Sequence, residues 1–151
     1  KRTIMEMGAE NGTKELTTAK VLSGESKLID VATGSDDGEV CVRVVDAGEI
    51  RELNATYRGK DAPTNVLSFP ADVELPETRI WGDVVVCAPV VDQEAADQGK
   101  AYADHFAHMV VHGVLHLLGY DHETAAEADV MERLEIEILG RFGVGDPYGE
   151  G

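Results

Sequence analysis

The order of hydrophobic and polar residues changes period several times along the chain, and each change predicts an element. Residues 39–46, EVCVRVVD, alternate in polarity and are rich in β-branched valine, which predicts a strand. Asp46, with Glu49 three positions on, gives a capping-box start for a short helix through GEIRELNATY. A loop, RGKDAPTN, follows, punctuated by Gly59 and Pro63, and leads into VLSFP, a short strand closed by Pro70. DVVVCA, residues 83–88, is apolar enough to be a third strand buried in a sheet. A helix is expected from about Pro89 to Gln98, ended by Gly99, and then a long apolar helix from about Tyr102 to Leu118.

The last helix is marked by a capping box, Thr124 with Glu127, and by one apolar stripe of Val130, Met131, Leu134 and Ile138 facing the body of the protein. Asp129, Glu132, Glu135 and Glu137 read as its solvated face, and Arg141 sits in the last turn, where the helix dipole favours a cation. The order strand, helix, strand, strand, helices predicts an α+β fold, a small mixed β-sheet packed against helices. The first thirty or so residues and the Gly-rich tail VGDPYGEG are weakly patterned and are expected to be looser than the middle.

Composition adds limits. A chain of 151 residues, 43% hydrophobic and 28% charged, fits one globular domain over residues 1–151 and is long enough to bury a core. Thirteen basic against 29 acidic residues give a formal net charge of −16, which favours solubility and opposes indiscriminate binding to polyanions. An acidic surface of this kind is also tolerated in a salty environment through screening. No apolar run approaches the roughly 18 residues of a membrane span, and the opening KRTIMEMGAENG lacks a secretory pattern, so a cytoplasmic location is expected. Cys41 and Cys87 lie in strand-like runs without ligand spacing and read as reduced core residues.

The candidate chemistry is concentrated in HGVLHLLGYDH, residues 112–122, which holds three of the five histidines. His112 and His116, four apart on a helix, project from the same side. Gly119 is suited to end that helix in the left-handed conformation, after which Tyr120 and Asp121 allow the chain to turn back and present His122 to the same point. Three neutral imidazoles leave a tetrahedral zinc with one open position, the catalytic pattern. His108, one turn earlier, is a candidate either for supporting the ligands from behind or for the pocket wall, and His105 is expected at the surface. Asp121 could orient a ligand histidine or serve the turn.

The spacing H-x-x-x-H-x-x-G-x-x-H is that of a class of zinc peptidases, which makes peptide hydrolysis the first enzymatic reading. Those enzymes carry a glutamate base directly after the first histidine, and here that position is Gly113. Upstream, Arg51, Arg58 and Lys60 form the densest basic group in an acidic sequence, and a cation beside a metal suits a phosphodiester.

Over residues 39–148 the chain resembles the YbeY family of bacterial metal-dependent endoribonucleases, through YRGKDAPTNVLSFP, GDVVVCAPVV, HMVVHGVLHLLGYDH and the acidic helix VMERLEIEIL, whereas the residues before 39 match poorly. The resemblance implies a metal cleft beside the histidine helix, His112, His116 and His122 as ligands of one zinc, nickel or manganese ion, and Arg58 as the catalytic basic residue. It implies cleavage of single-stranded RNA in ribosomal RNA processing, at the small-subunit 3′ end, and in ribosome quality control, with the ribosome or ribosomal proteins as partners. Two rivals stand beside it: a ribosome-assembly or RNA-binding factor whose zinc is mainly structural, and a zinc peptidase with a base from elsewhere.

Overall fold

A computed structural model describes residues 2–7, 33, 38–71 and 79–148. Four strands, β1 (Arg2–Met7), β2 (Gly38–Val45), β3 (Val66–Pro70) and β4 (Arg79–Cys87), form one sheet in the order β1-β2-β4-β3. β1, β2 and β4 run parallel, and β3 pairs antiparallel with β4, so the sheet is mixed as the α+β reading expects. Among the described residues the helices beside it are α1 (Ala47–Arg58), α2 (Ala88–Gln98), α3 (Tyr102–Leu117) and α4 (Ala125–Gly140).

Burial explains the sequence patterns. Val40, Val42 and Val44 of β2, with Val84 and Val86 of β4, pack against Phe106, Met109, Val110 and Val114 of α3. Their neighbours Val45, Val85 and Cys87 belong to a second cluster with Ile50 of α1 and Leu67 of β3. The run DVVVC is apolar without alternation because both faces of β4 are covered. α3 is apolar around most of its girth for the same reason: its far side, Ala107, Val111 and Leu115, meets Met131, Ile138 and Leu139 of α4. The helix that carries two of the candidate ligands is thus clamped between the sheet and α4.

Three expectations change. The sheet gains β1 from a stretch that carries no run of β-branched residues; a six-residue edge strand takes its shape from pairing with β2. The expected looseness of the N-terminal segment otherwise falls, over residues 8–32 and 34–37, outside the described residues. The apolar stripe of α4 is phased one residue differently, because the buried side is centred on Met131, Glu135, Ile138 and Leu139, and Val130, 100° away, is 47% exposed. The tail is tied down as far as Tyr148: the Val144 N–H donates to the Leu139 carbonyl at 3.0 Å, and Lys100 Nζ donates to the Pro147 carbonyl at 2.6 Å.

Candidate metal centre

α3 and the turn after it bring three imidazoles together. His112 and His116 lie on one side of the helix with their Nε2 atoms 3.1 Å apart. The helix stops at Leu117, and Gly119 adopts a left-handed φ of 98°. The Gly119 N–H then donates to the His116 carbonyl at 3.0 Å and the Tyr120 N–H to the Leu115 carbonyl at 3.1 Å, the paired bonds of a Schellman cap. The chain reverses there and places the His122 ring 5.5 Å from that of His112 and 5.1 Å from that of His116, centroid to centroid. One ring nitrogen from each histidine lies within 4.8 Å of the other two, a group that could hold a metal ion. Asp121 serves the turn, its Oδ1 accepting from the His122 N–H at 2.8 Å.

The donor set fits zinc. Two nitrogens held at ~2.05 Å by one tetrahedral ion lie roughly 3.3 Å apart, close to the spacing already built into the helix. Burial, and after it the neighbouring His112 and His122, push His116 below the ordinary imidazole value, which keeps that ring in the neutral form that ligates.

Behind the cluster stands a buried carboxylate. Glu135 of α4 is 0% exposed, and its Oε2 lies 2.6 Å from His112 Nδ1. Burial alone would raise its pKa, but hydrogen bonds from His108, His112 and Tyr148 outweigh that and hold it at about 2. An ionised carboxylate only accepts, so His112 must carry its proton on Nδ1 and turn the lone pair of Nε2 toward the other two imidazoles.

Gly113 is fixed by close approach. A Cβ at this position would lie 2.6 Å from Val84 Cγ1 and 3.1 Å from Ser68 Oγ, and the Ser68 hydroxyl donates to the Gly113 carbonyl at 2.8 Å. The position faces the sheet, so a side chain there would have to displace Val84. The peptidase base directly after the first histidine is therefore missing, and the close packing of Gly113 on Val84 opposes a larger residue in its place.

Arg58, the last residue of α1, reaches the same place from the other side. Its Nη2 donates to the Ser68 carbonyl at 2.6 Å and its Nη1 to the Tyr57 carbonyl at 3.3 Å, with the guanidinium carbon 5.1 Å from the centroid of the Phe69 ring. Those bonds occupy two of five N–H groups and orient the plane of the others. A cavity of about 710 Å³ is lined by Arg58, His112, His116 and His122 together, with Thr64, Asn65, Ser68, Glu132 and Tyr148 among its other walls.

The family profile described as Endoribonuclease YbeY matches residues 6–143. The chain belongs to the YbeY endoribonuclease family. A protein named Endoribonuclease YbeY from Halorhodospira halophila is 61% identical over 117 residues, 75% of this chain and 76% of that one. Its namesake from Alkalilimnicola ehrlichii is 58% identical over 126 residues, 78% and 74% of the two chains. The solution structure of TM1509 from Thermotoga maritima superposes with a TM-score of 0.57 at 27% identity, covering 99% of this chain and 100% of that one.

The YbeY match starts at residue 6, well ahead of residue 39, where the legible motifs begin. Of the residues singled out from sequence, the fold gathers Arg58, His112, His116 and His122 on one cavity and leaves the other two cations away from it. Arg51 is spent on Asp61, through Nε at 2.8 Å and Nη2 at 3.2 Å, and Lys60 is exposed outside the cavity. His105 is not at the surface: it is 4% exposed, with Nε2 2.9 Å from Glu94 Oε1, because the first turns of α3 pack against α2. Glu135 is not part of a solvated face, since three donors compensate its burial. Tyr148 and Glu135 are the residues of the site that sequence reasoning missed. An acid at the centre of the apolar stripe was the available signal for Glu135, and the glycine-rich tail offered none for Tyr148.

Proposed function

We propose that this member of the YbeY endoribonuclease family cuts single-stranded RNA in a metal-dependent reaction, with His112, His116 and His122 holding the ion and Arg58 as the catalytic residue. One arrangement supports this reading: the three imidazole nitrogens and a guanidinium with unused donors face one cavity. When bound, a zinc ion at these nitrogens supplies Lewis-acid polarisation of a phosphoryl oxygen; nickel suits the same three imidazoles, and manganese, which prefers oxygen ligands, suits them less well. Glu135 holds His112 in the ligating tautomer. Arg58, held by the Ser68 and Tyr57 carbonyls, directs its remaining N–H groups at the charge that grows on the phosphoryl oxygens during displacement. A flexible single strand suits an open cleft, because its backbone can be drawn in between β3 and the histidine end of α3.

With no side chain available at Gly113, the attacking oxygen is activated without a neighbouring glutamate. A cyclic phosphate among the products identifies the RNA 2′-hydroxyl as nucleophile, and a linear phosphate identifies water. The exposed ring of His122 and the opening onto the cavity favour a reactive centre over a closed structural zinc. The substrate we assign is ribosomal RNA, at the small-subunit 3′ end and in ribosome quality control, in the cytoplasm. A net charge of −16 gives the chain no general attraction to RNA, which supports delivery by a ribosomal protein partner.

The test is elemental analysis combined with cleavage of matched single-stranded and duplex RNA. His112→Ala should lose both metal and cleavage. Arg58→Glu should keep its metal and lose cleavage by about 100-fold or more. Full activity in metal-free protein removes the ion from the mechanism, and an unchanged rate in Arg58→Glu removes the guanidinium.

A further inference from the structure

We propose that Tyr148 is a positioning residue of the metal centre, acting through Glu135 on His112. The proposal deepens the metal reading above and rests on it. After α4 the chain folds back across the site: Val144 packs into the cluster between α3 and α4, Lys100 Nζ holds the Pro147 carbonyl at 2.6 Å, and the Tyr148 N–H donates to Asp146 Oδ1 at 2.8 Å. This brings the Tyr148 hydroxyl onto Glu135 Oε1 in a short hydrogen bond.

The two carboxylate oxygens of Glu135 are thereby divided. Oε2 takes the His112 Nδ1–H, and Oε1 takes the Tyr148 hydroxyl, with His108 Nε2 3.3 Å from Oε1 and 3.2 Å from the Tyr148 oxygen. The Tyr148 and His108 rings meet edge to face at 5.3 Å. His108 Nδ1 is buried without a hydrogen-bond partner, so the polar contacts of that ring all lie on the Tyr148 and Glu135 side. Burial and Glu135 raise the Tyr148 phenol well above its ordinary value, which keeps it a donor. A carboxylate pinned at Oε1 cannot rotate away from His112, and His112 is held with Nε2 aimed at His116. The family match ends at residue 143, so this support comes from a part of the chain beyond the shared profile.

Zinc affinity of the full chain, measured by competition with a chromophoric chelator, tests the proposal alongside the melting temperature of the zinc-free protein. Tyr148→Phe should weaken zinc binding about tenfold and also lower the zinc-free melting temperature, because the hydroxyl is one of the three donors that compensate the buried Glu135 carboxylate. A merely structural tyrosine would lower the melting temperature and leave zinc affinity unchanged. In a Glu135→Ala background the further loss of the Tyr148 hydroxyl should change affinity less than about twofold, since the acceptor through which it acts is gone. Wild-type affinity in Tyr148→Phe overturns the proposal, as does a full tenfold effect in the Glu135→Ala background. Tyr148→Phe decides by itself if Glu135→Ala does not fold. His112→Ala in the same titration separates the two levels: zinc binding as tight as wild type there overturns the metal reading and this one with it. Loss in His112→Ala with no change in Tyr148→Phe overturns only this one.

Discussion

Gly113→Ala separates helix propensity from packing, because the two predict opposite signs. On propensity alone, alanine in a helix interior is favoured over glycine by roughly 0.5–1 kcal/mol. The fold opposes this: the new Cβ would lie 2.6 Å from Val84 Cγ1 and 3.2 Å from Val84 Cγ2. Carbon atoms rest comfortably at about 3.5–4.0 Å, so α3 must retreat from the sheet by roughly 1 Å. Val84 is 0% exposed within the cluster shared by β2, β4 and α3 and has no space to swing into. Overpacking of this kind costs about 1–3 kcal/mol. The net expectation is a loss of about 1 kcal/mol, or roughly 2–4 °C in melting temperature for a chain of this size. Urea unfolding with chelator present in both samples removes any contribution from differential zinc binding. RNA cleavage should fall as well, since His112 moves with the helix. A Gly113→Ala protein as stable as wild type, or more stable, refutes the argument that close approach of α3 to β4 selects glycine.

The capping box of α4 and the buried pair at the start of α3 give further tests. Thr124→Ala removes the hydroxyl that accepts from the Glu127 N–H at 3.1 Å and should cost about 1 kcal/mol in urea unfolding, with cleavage retained at a temperature where the variant is folded. His105 is held below the ordinary imidazole value, first by burial and only partly offset by Glu94. Below about pH 6.5 the unfolded chain therefore gains a proton that the folded chain refuses, and stability falls with pH through the window beneath that value. His105→Gln should flatten that slope by up to about 1.4 kcal/mol per pH unit relative to wild type. Parallel curves for the two proteins would contradict it. Arg51→Ala breaks only the exposed pair with Asp61 and should leave single-stranded RNA cleavage unchanged. A large loss of cleavage would place Arg51 on the substrate path.

What was legible in the sequence is what local geometry determines. Two histidines four apart share a helix side whatever the helix packs on, and a glycine turn returns a third within six residues, so the trio could be read without knowledge of the fold. The strands β2, β3 and β4 were legible because valine runs and proline stops act locally. β1 was not, because a parallel edge strand is specified by a partner more than thirty residues away. Glu135 shows how such a distant relation can still leave a local trace. Burying a lone carboxylate costs several kcal/mol, so an acid in line with Met131 and Ile138 requires donors facing it from another element. His108 and His112, four apart on the helix α3 that α4 packs against, are those donors. An acid at the centre of an apolar stripe and a second histidine pair on a neighbouring helix therefore predict each other. The same reasoning separates Glu135, which needs buried donors, from the exposed Asp129 and Glu137 of the same helix.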